Sequence, residues 1–391
     1  MKNWESLPLG ELCEVVAGGT PSRTKPDYFD GNIPWVKIGD MLQGCITTTE
    51  EKISRLGLEN SSAKLLPKGT VLISIFATIG RTAVLNIEAA TNQAIAGVTP
   101  RNLNVLQSEY LRYFLDNIAK SLERRARGVA QLNINSAILK TLQIPLPPIE
   151  EQKRIAEILD RTQSLISKRK EAIAKLDTLT QSIFIEMFGD PVTNPKGWEI
   201  KRCKSICSRI TVGIVVQPAS YYQDSGVLAL RSQNIKKNSI STDNLVFFSQ
   251  VDNETKLAKT RLKEGDVVLV RTGQPGTAAV IPKEFDGVNA IDLLITTPYK
   301  DIVDSLYLCT FFNSSWGKKM VLSSQVGQIQ KHLNVGILND AQIICPPLPL
   351  QKEFAQRVEA IEKLKATHRA SLTELQALFA SLQHRAFRGE L

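Results

Sequence analysis

The 391-residue sequence has few of the residues and runs that mark several protein classes. It has three histidines and six cysteines, and the close pair Cys203 and Cys207 is not followed by a second pair. This argues against a disulfide framework and a structural zinc site, and favours reduced, buried thiols. No apolar run reaches the roughly 18 residues of a membrane helix. The N-terminal MKNWESLPLG lacks the apolar core of a signal peptide, so we expect a cytoplasmic protein without membrane contact.

Signatures of catalysis are equally scarce. The sequence has no P-loop, no G-x-G-x-x-G loop after an apparent strand, and no Asn/Asp-Pro-Pro-aromatic motif of an amino-methyltransferase. Ser61–Lys64 and Ser315–Lys318 have Ser-x-x-Lys spacing without the other parts of an acyl-transfer site. Two acid–acid–lysine sets have the composition of a nuclease site: Asp27, Glu50 and Lys52, and Asp190, Glu199 and Lys201. We expect no catalysis by this chain, with a metal-dependent nuclease as the open alternative.

What the sequence does have is length, apolar content and positive charge. Hydrophobic residues make up 43% of the chain, which at this length predicts two or three domains. The 48 Lys and Arg residues outnumber the 39 Asp and Glu residues, giving a formal net charge of +9. An excess of this sign favours a polyanionic partner such as nucleic acid.

The chain contains the same module twice. Residues 144–156 read IPLPPIEEQKRIA and residues 343–355 read IICPPLPLQKEFA, an offset of 199 between positions 144 and 343. Asn135, Ile138 and Leu139 match Asn334, Ile337 and Leu338 at the same offset. Upstream the offset shrinks, to 197 between Tyr110 and Tyr307 and to 194 between Trp4 and Trp198. Small insertions in the second copy explain this drift, so repetition is the basic organisation.

Each module divides into a globular part and a tail. The globular parts, 1–148 and 189–347, contain short β-like runs separated by Gly, Asn and Pro, and a probable helix at 108–127 or 304–322. We therefore expect two α+β domains. The tails, 149–188 and 348–391, begin after a Pro-Pro pair, which stops the sheet and precedes a helix start.

The tails have the apolar spacing of long helices. At 1.5 Å per residue each would span about 55 Å. The predicted pairing and partner interface consists of Ile155, Leu159, Ile166, Ile173, Leu176, Phe354, Val358, Ile361, Leu372 and Leu375. Two equivalent modules predict a pseudo-two-fold axis and an antiparallel helix pair, a helical rod with a globular domain at each end. Two separate core helices are the alternative.

Several motifs, in this order and partly duplicated, resemble the specificity subunit of type I restriction–modification systems. They are VAGGTPS (16–22), IPWVKIGDM (33–41), LPPIEEQKRIAEILD (146–160), FGDPVTNPKGWE (188–199), PPLPLQKEFA (346–355) and AFRGEL (386–391). The resemblance covers essentially the whole chain. One departure is that the second module has VGIVVQPAS (212–220) instead of the GGTPS signature.

This resemblance implies a non-catalytic subunit with two α/β target recognition domains separated by two long antiparallel coiled-coil helices. Each domain would read one half of a split, asymmetric sequence in double-stranded DNA, and the helices would set the distance between the halves. It also implies two modification subunits, which transfer a methyl group from S-adenosylmethionine to adenine N6, so the cofactor belongs to the partners. Two restriction subunits can join that assembly.

The matched loops supply the candidate DNA contacts. PWVKIGDMLQG (34–44) corresponds to LALRSQNIKKN (228–238), and SIFATIGR (74–81) corresponds to VRTGQPGT (270–277). Arg pairs with guanine and Asn or Gln with adenine, whereas Lys more often contacts phosphate. The candidates are Thr20, Ser22, Arg23, Lys25, Lys37, Asp40, Arg81, Arg231, Gln233, Asn234, Lys236, Lys237, Arg271, Gln274 and Lys331. Ordinary solvated loops, and a coiled-coil scaffold whose end domains bind proteins, remain the alternatives.

Overall fold

A computed structural model describes residues 4–76, 78–127, 134–322 and 333–391. The chain divides into two compact units. The first unit comprises Met1–Lys170 and Ser371–Leu391, and the second unit comprises Glu171–Ala370. Both boundaries fall inside long helices, at positions 170 and 370, which differ by nearly the repeat offset. Each unit therefore combines one globular part with a segment of each long helix.

The first unit contains three sheets. Its strands are β1 Ser6–Pro8, β2 Cys13–Ala17, β3 Ile33–Val36, β4 Cys45–Ile46, β5 Glu51–Ile53, β6 Val71–Ser74, β7 Thr82–Leu85, β8 Ala90–Thr91, β9 Ile95–Pro100 and β10 Gln143–Pro145. They form a five-stranded sheet in the order β2-β9-β6-β7-β4, a three-stranded sheet in the order β5-β3-β8, and a β1-β10 pair. The helices before the second unit are α1 Leu9–Leu12, α2 Arg55–Glu59, α3 Ser108–Arg127, α4 Ser136–Lys140 and the long α5 Ile149–Phe188.

The second unit repeats this plan. Its strands are β11 Glu199–Arg202, β12 Cys207–Val212, β13 Tyr222–Gln223, β14 Val227–Leu230, β15 Ile235–Lys236, β16 Ser239–Ile240, β17 Val246–Phe248, β18 Val267–Val270, β19 Ala278–Val280, β20 Asn289–Ala290, β21 Leu293–Pro298 and β22 Gln342–Cys345. The sheet orders are β12-β21-β18-β19, β13-β17-β14-β20, β15-β16 and β11-β22. The remaining helices are α6 Cys203–Ile206, α7 Gln250–Glu254, α8 Ser305–Asn313, α9 Ser315–Leu322, α10 Val335–Asp340 and the long α11 Leu348–Ala386. The predicted α+β class and the repetition are confirmed.

The long helices belong to the cores of both units. In the first unit, Ile155 and Leu159 of α5 are fully buried in one apolar cluster with Val71 of β6 and Leu111 of α3. In the second unit, Phe354 of α11 lies in the matching cluster. The helices begin directly after Pro148 and Pro347, as the Pro-Pro junctions predict.

The apolar residues predicted to form the helix interface, here called the stripe, are buried or half-buried. Ile155, Leu159, Ile166, Phe354, Val358 and Ile361 are buried, while Ile173, Leu176, Leu372 and Leu375 are half-buried. Within the second unit the ring of Phe188 packs on Phe354 with centroids 5.2 Å apart, and Lys365 Nζ donates to Asp177 Oδ1 at 2.8 Å. Asp177 lies eleven residues before Phe188 on α5, and its partner Lys365 lies eleven residues after Phe354 on α11. These two helix segments therefore run antiparallel.

The long helix α11 also has a buried lysine, Lys365, between Ile361 and Leu372 of the stripe. The Lys365 side chain is 1% exposed, and its Nζ also lies 2.7 Å from Glu362 Oε1. Two carboxylates around one ammonium group compensate for its loss of water. A polar residue at a core position therefore fits here because its partners come from both helices.

The helix predicted for residues 304–322 is broken at Ser314. Ser314 has extended backbone angles, its Oγ donates to Phe311 O at 2.6 Å, and it accepts from Gly317 N at 3.0 Å. A side chain at Gly317 would meet Phe311 O at 2.1 Å, so only glycine permits this close turn. The matching α3 is continuous, so the prediction is right for the first module and wrong in detail for the second.

Many residues that match between the modules make the same contact in each unit. Tyr110 and Tyr307 donate to the carbonyls of Pro145 and Ile344 at 2.9 and 2.8 Å. Asn135 and Asn334 accept the amide hydrogen three residues later, each at 2.9 Å, and so cap α4 and α10. The sequence repeat is therefore a repeat of the hydrogen bonds that hold each domain.

The glutamine of the duplicated junction is the most connected of these residues. In the first unit Gln152 Oε1 accepts from Gln107 N at 2.9 Å, and its Nε2 donates to Val105 O at 2.8 Å and Pro147 O at 3.0 Å. In the second unit Gln351 makes the same three contacts, with Asp304 N, Ile302 O and Pro346 O. Each glutamine fastens the loop before the domain helix to the start of a long helix.

Removing either glutamine is expected to destabilise the chain. Gln152→Ala or Gln351→Ala removes the side-chain partner of three buried or partly buried backbone groups, which costs about 1–3 kcal/mol. The matched controls are Lys153→Ala and Lys352→Ala at the next, exposed positions, which should change stability by less than about 0.5 kcal/mol. Urea unfolding followed by circular dichroism measures both. A glutamine variant no less stable than its lysine control would contradict this role.

Candidate nucleic-acid interface

Asp292 connects three loops of the second unit. It lies between β20 and β21 with a positive φ of 49°. Its Oδ1 is 3.1 Å from Arg271 Nη1, and its Oδ2 accepts from Thr272 Oγ1 at 3.1 Å. Its backbone N–H donates to Ile214 O at 3.0 Å, and its carbonyl accepts from Ser232 Oγ at 3.4 Å. The loops around residues 214, 232 and 271 are thereby held side by side.

Two of the predicted DNA contacts, Arg231 and Gln233, hydrogen-bond to the backbone of Asn244. Its backbone carbonyl accepts from Arg231 Nη2 and, at 3.3 Å, from Gln233 Nε2. Within the described part of the chain, the Nε atoms of Arg231 and Arg271 are buried and have no hydrogen-bond partner. Each guanidinium is therefore positioned by one protein contact while one of its donors remains unused.

Asn234 and Asp40, a matched pair, each hydrogen-bond to backbone groups of nearby loops. Asn234 is fully buried, accepts from Arg231 N at 3.0 Å, and donates to Ser241 O and Asp243 O at 3.1 and 2.8 Å. Asp40 accepts from Lys37 N at 2.7 Å, and its other oxygen accepts a second backbone N–H at 3.2 Å. Because these bonds use both ends of the buried Asn234 amide, we do not retain Asn234 as a DNA contact, whereas Asp40 stays a predicted one.

Arg23 and Lys37 lie in an ion-pair network of the first unit. Arg23 stacks on Phe29, 4.3 Å from the ring centroid, and its Nη2 is 2.7 Å from Glu51 Oε2. Lys37 Nζ lies 2.7 Å from Glu50 Oε2 and 2.8 Å from Glu51 Oε1, and these hydrogen bonds raise the pKa of Lys37. The two positive groups are thus oriented and already partly neutralised.

Thr20 and Arg81 also connect loops of the first unit. Thr20 Oγ1 contacts Gln93 Oε1, and Arg81 Nη1 donates to Ile38 O at 3.3 Å. Gln93 follows β8 by two residues, as Asp292 follows β20. The same place in each domain therefore joins the loops, with a different side chain in each.

Ser22 and Lys25 lie in the turn between these loops. The Ser22 and Thr24 hydroxyl oxygens are 2.8 Å apart, and Lys25 Nζ donates to Tyr28 Oη at 3.0 Å. Both predicted side chains are exposed. Their local bonds set the direction of the turn and leave each side chain open to solvent.

A glycine starts this turn in both domains, although only the first has the GGTPS signature. A Cβ on Gly18 would lie 2.1 Å from Asn92 O, and one on Gly213 would lie 2.4 Å from Ala290 O. The Gly18 and Gly213 amides donate to matching β9 and β21 carbonyls at 2.9 and 2.8 Å. The departure in the second module therefore changes the side chains after the turn and keeps the turn itself.

The other predicted contacts lie on exposed or half-exposed loops of the second unit. Lys236 and Gln274 are exposed, and Lys237 is half-buried at the tip of the β15–β16 hairpin. Lys331 lies outside the described residues.

Sequence reasoning missed the residues that organise these loops. Gln93 and Asp292 differ in type, and Asn244 acts through its backbone carbonyl, so pattern matching has no signal for them. Lys318 stood out only for its Ser-x-x-Lys spacing. Within the described ranges, no three His, Cys, Asp or Glu side chains are arranged to hold a metal ion. Among the described helices, none is long and apolar enough to cross a membrane.

Comparison with known proteins gives a consistent result. Residues 1–176 and 195–377 match the family model described as the type I restriction modification DNA specificity domain. The chain is similar to the type I restriction enzyme MjaIX specificity subunit of Methanocaldococcus jannaschii, with 24% identity covering 100% of this chain and 94% of the relative. The fold is similar to that of the type I restriction–modification S subunit from M. genitalium, with a TM-score of 0.60 at 12% identity over 98% of this chain and 96% of that one.

A second solved chain, from a study of complex assembly and conformational transition in the type I system, has a TM-score of 0.56 at 19% identity. It covers 100% of this chain and 99% of its own length. The family match covers most of both modules. Specificity subunits recognise DNA sequence, work with methyltransferase and restriction subunits, and are the non-catalytic members of these systems. The chain belongs to the type I restriction–modification DNA specificity family.

Proposed function

We propose that the two globular domains read the two halves of a split DNA target and that the halves differ in sequence. The main supporting observation is that the two domains share their buried contacts but differ in the residues of their loops. Buried residues such as Gln152 and Gln351 make the same contacts in each domain. In the loops after the matched strands β6 and β18, the buried Ile75 and the exposed Thr78 of the first domain correspond to Arg271 and Gln274. Two domains with the same internal contacts but different loop residues are suited to recognise two different DNA sequences.

Base reading in the second domain is assigned to four side chains. Arg231 and Arg271 suit guanine by residue type, and each guanidinium is held in place by an Nη contact, with Asn244 O and Asp292 Oδ1 respectively. Gln233 and Gln274 suit adenine. Asp292 is a positioning residue, because its ion pair holds the Arg271 guanidinium in place. This lowers the side-chain entropy that is lost when Arg271 binds a base.

The remaining candidates contact either bases or the DNA backbone. In the first domain Arg23 and Arg81 are the candidate base readers, since each guanidinium is oriented by a protein contact. The hydroxyls and ammonium groups are assigned to the backbone. These residues are Thr20, Ser22, Lys25, Lys37, Lys236, Lys237 and Lys331.

Selection of bound duplexes from a random-sequence pool tests this function. The chain, purified with its modification subunits, is expected to select two unlike half-sites at a fixed spacing. Arg271→Ala should lower discrimination at one base pair of one half-site by about tenfold to hundredfold, since a bidentate Arg–guanine pair contributes about 1–3 kcal/mol. Arg202→Ala on β11 is the control. An unselective pool, or two identical half-sites, would contradict the proposal.

The chain also needs surfaces for its partners, and duplicated leucines suit that role. Leu165 of α5 and Leu364 of α11 are repeat-equivalent and are 49% and 47% exposed. Leu179 and Leu378 are also repeat-equivalent and are 45% and 49% exposed. Leu165 and Leu378 belong to the first unit and Leu179 and Leu364 to the second, so each unit has a leucine pair made of one residue from each long helix.

We infer that each leucine pair docks one modification subunit, giving two per chain. Equivalent apolar residues that stay exposed on otherwise charged helices mark a contact with another protein. Two equivalent patches fit two copies of one partner. S-adenosylmethionine would bind these partners, restriction subunits would join them, and the assembly would act in the cytoplasm. In this assignment 1–148 and 189–347 recognise DNA, while 149–188 and 348–391 are the spacer and docking helices.

A further inference from the structure

The hairpin of β15 and β16 presents Lys237 in a fixed position. Ile235 pairs with Ile240 and Lys236 with Ser239, so Lys237 and Asn238 form a two-residue tip. Asn238 has a φ of 57°, which is typical of such tips. The tip is therefore a tight turn with little freedom to move.

Asn238 fastens this tip to the end of α8. Its backbone N–H donates to Ala278 O at 3.0 Å, and its Oδ1 accepts from Asn313 Nδ2 at 2.6 Å. Asn313 in turn exchanges hydrogen bonds with the Ala278 backbone at 2.9 and 2.8 Å. Lys237 thus lines a groove with Asn313, Ser314 and Trp316, at the junction of α8 and α9.

Lys318 approaches the same junction from the first turn of α9. Its Cγ would lie 3.6 Å from a Cβ on Gly276, so its stem lies against the loop that contains Arg271 and Gln274. Burial, with a smaller contribution from Lys237, lowers the pKa of Lys318. Lys318 N donates to Ser314 O at 3.1 Å, and Ser314 lines the groove with Lys237, so both lysines adjoin the same residue.

Nothing in the described ranges neutralises this lysine pair. No salt bridge joins Lys237 or Lys318 to a carboxylate there, and Asp177, the carboxylate that lines the groove beside Lys237, is bonded to Lys365 at 2.8 Å. By contrast, Arg23, Lys37 and Arg271 each have an acidic partner. Two uncompensated cations on a rigid support favour a bound anion.

We propose that Lys237 and Lys318 bind one phosphate of the DNA strand beside the half-site read by the second domain. The site rests on the proposed function, because the two lysines flank the loops assigned to base reading. At the matched hairpin positions the first module has Leu42 and Gln43 where the second has Lys236 and Lys237. This phosphate contact is therefore specific to the second domain and adds affinity without reading sequence.

The salt dependence of binding tests this site. The chain, in complex with its modification subunits, is titrated with its selected target and with an unrelated duplex between about 50 and 200 mM salt. Lys318→Ala and Lys237→Ala should each lower the slope of log K against log salt, and the double variant should lower it by about 1, because one phosphate is neutralised. They should weaken both duplexes by the same factor and leave the selected half-sites unchanged. Lys319→Ala, at the next and exposed position of α9, is the matched control and should leave the slope unchanged.

The outcomes separate this site from the reading function. An unchanged slope for Lys318→Ala, or an equal change for Lys319→Ala, would overturn the phosphate site while target selection by the wild type still supports reading. Altered half-sites in Lys318→Ala would also overturn it, because a phosphate contact carries no sequence information. If the wild type shows no sequence preference but Lys318→Ala still lowers the salt slope, the phosphate site is supported and the reading function is refuted.

Discussion

Inserting seven residues into both long helices, after Lys170 and after Ala370, is expected to abolish binding to the original target. These positions are the boundaries of the compact units, so neither globular core is cut. A heptad keeps the buried stripe in phase and lengthens each helix by about 10 Å. That length corresponds to about three base pairs, which also turns the second half-site by roughly a third of a DNA turn.

A second variant, with three heptads inserted at the same positions, serves as the comparison for the one-heptad insertion. It adds about 31 Å, close to one turn of DNA, so the half-sites return to nearly the same face. Selection from a random pool should then return the original half-sites with a spacer longer by about nine base pairs. Half-sites of changed sequence, or an unchanged spacer in a folded variant, would show that the helices do not set the distance.

Replacing one leucine pair by glutamate is expected to remove one modification subunit from the assembly. Because each leucine is already about half buried, docking two of them contributes about 1.5–3 kcal/mol, roughly tenfold to a hundredfold in affinity, and a buried carboxylate adds a further cost. Leu165→Glu with Leu378→Glu should leave one partner per chain, and so should Leu179→Glu with Leu364→Glu. The fourfold variant should leave none and should abolish methylation of the target.

Native mass spectrometry of the purified assembly counts the bound partners directly. Ser164→Glu with Thr367→Glu is the control, because it places carboxylates at exposed polar positions of the same helices. Loss of both partners from a single pair variant would refute the assignment of one partner to each unit. Retention of both partners by the fourfold variant would place the docking surface elsewhere.

The features that repeat could be predicted from the sequence. The Pro-Pro junctions, the matched residues Asn135 and Asn334 and the apolar stripe of the long helices recur in both modules, so each copy supports the other. Periodicity predicts which helix face is buried because burial follows the spacing of apolar residues. It also predicts where each long helix begins, because proline fixes the junction.

Features that arise from tertiary contacts could not be predicted. Ser314 breaks a helix because Gly317 allows a close backbone approach. Asn234 had the right residue type for reading adenine but is buried, since its amide holds neighbouring backbone groups. Asp292 organises three loops through contacts distant in sequence. Residue type shows which groups are able to contact DNA, and the fold decides which of them remain available.

The central claim is that this chain determines which DNA sequence its assembly modifies. The most direct test is a genome-wide map of adenine methylation in cells that express the modification subunit, with and without this gene. The account predicts that one split motif with unlike halves loses methylation when the gene is removed and regains it when the gene is restored. Methylation of every motif unchanged by the gene would contradict the account.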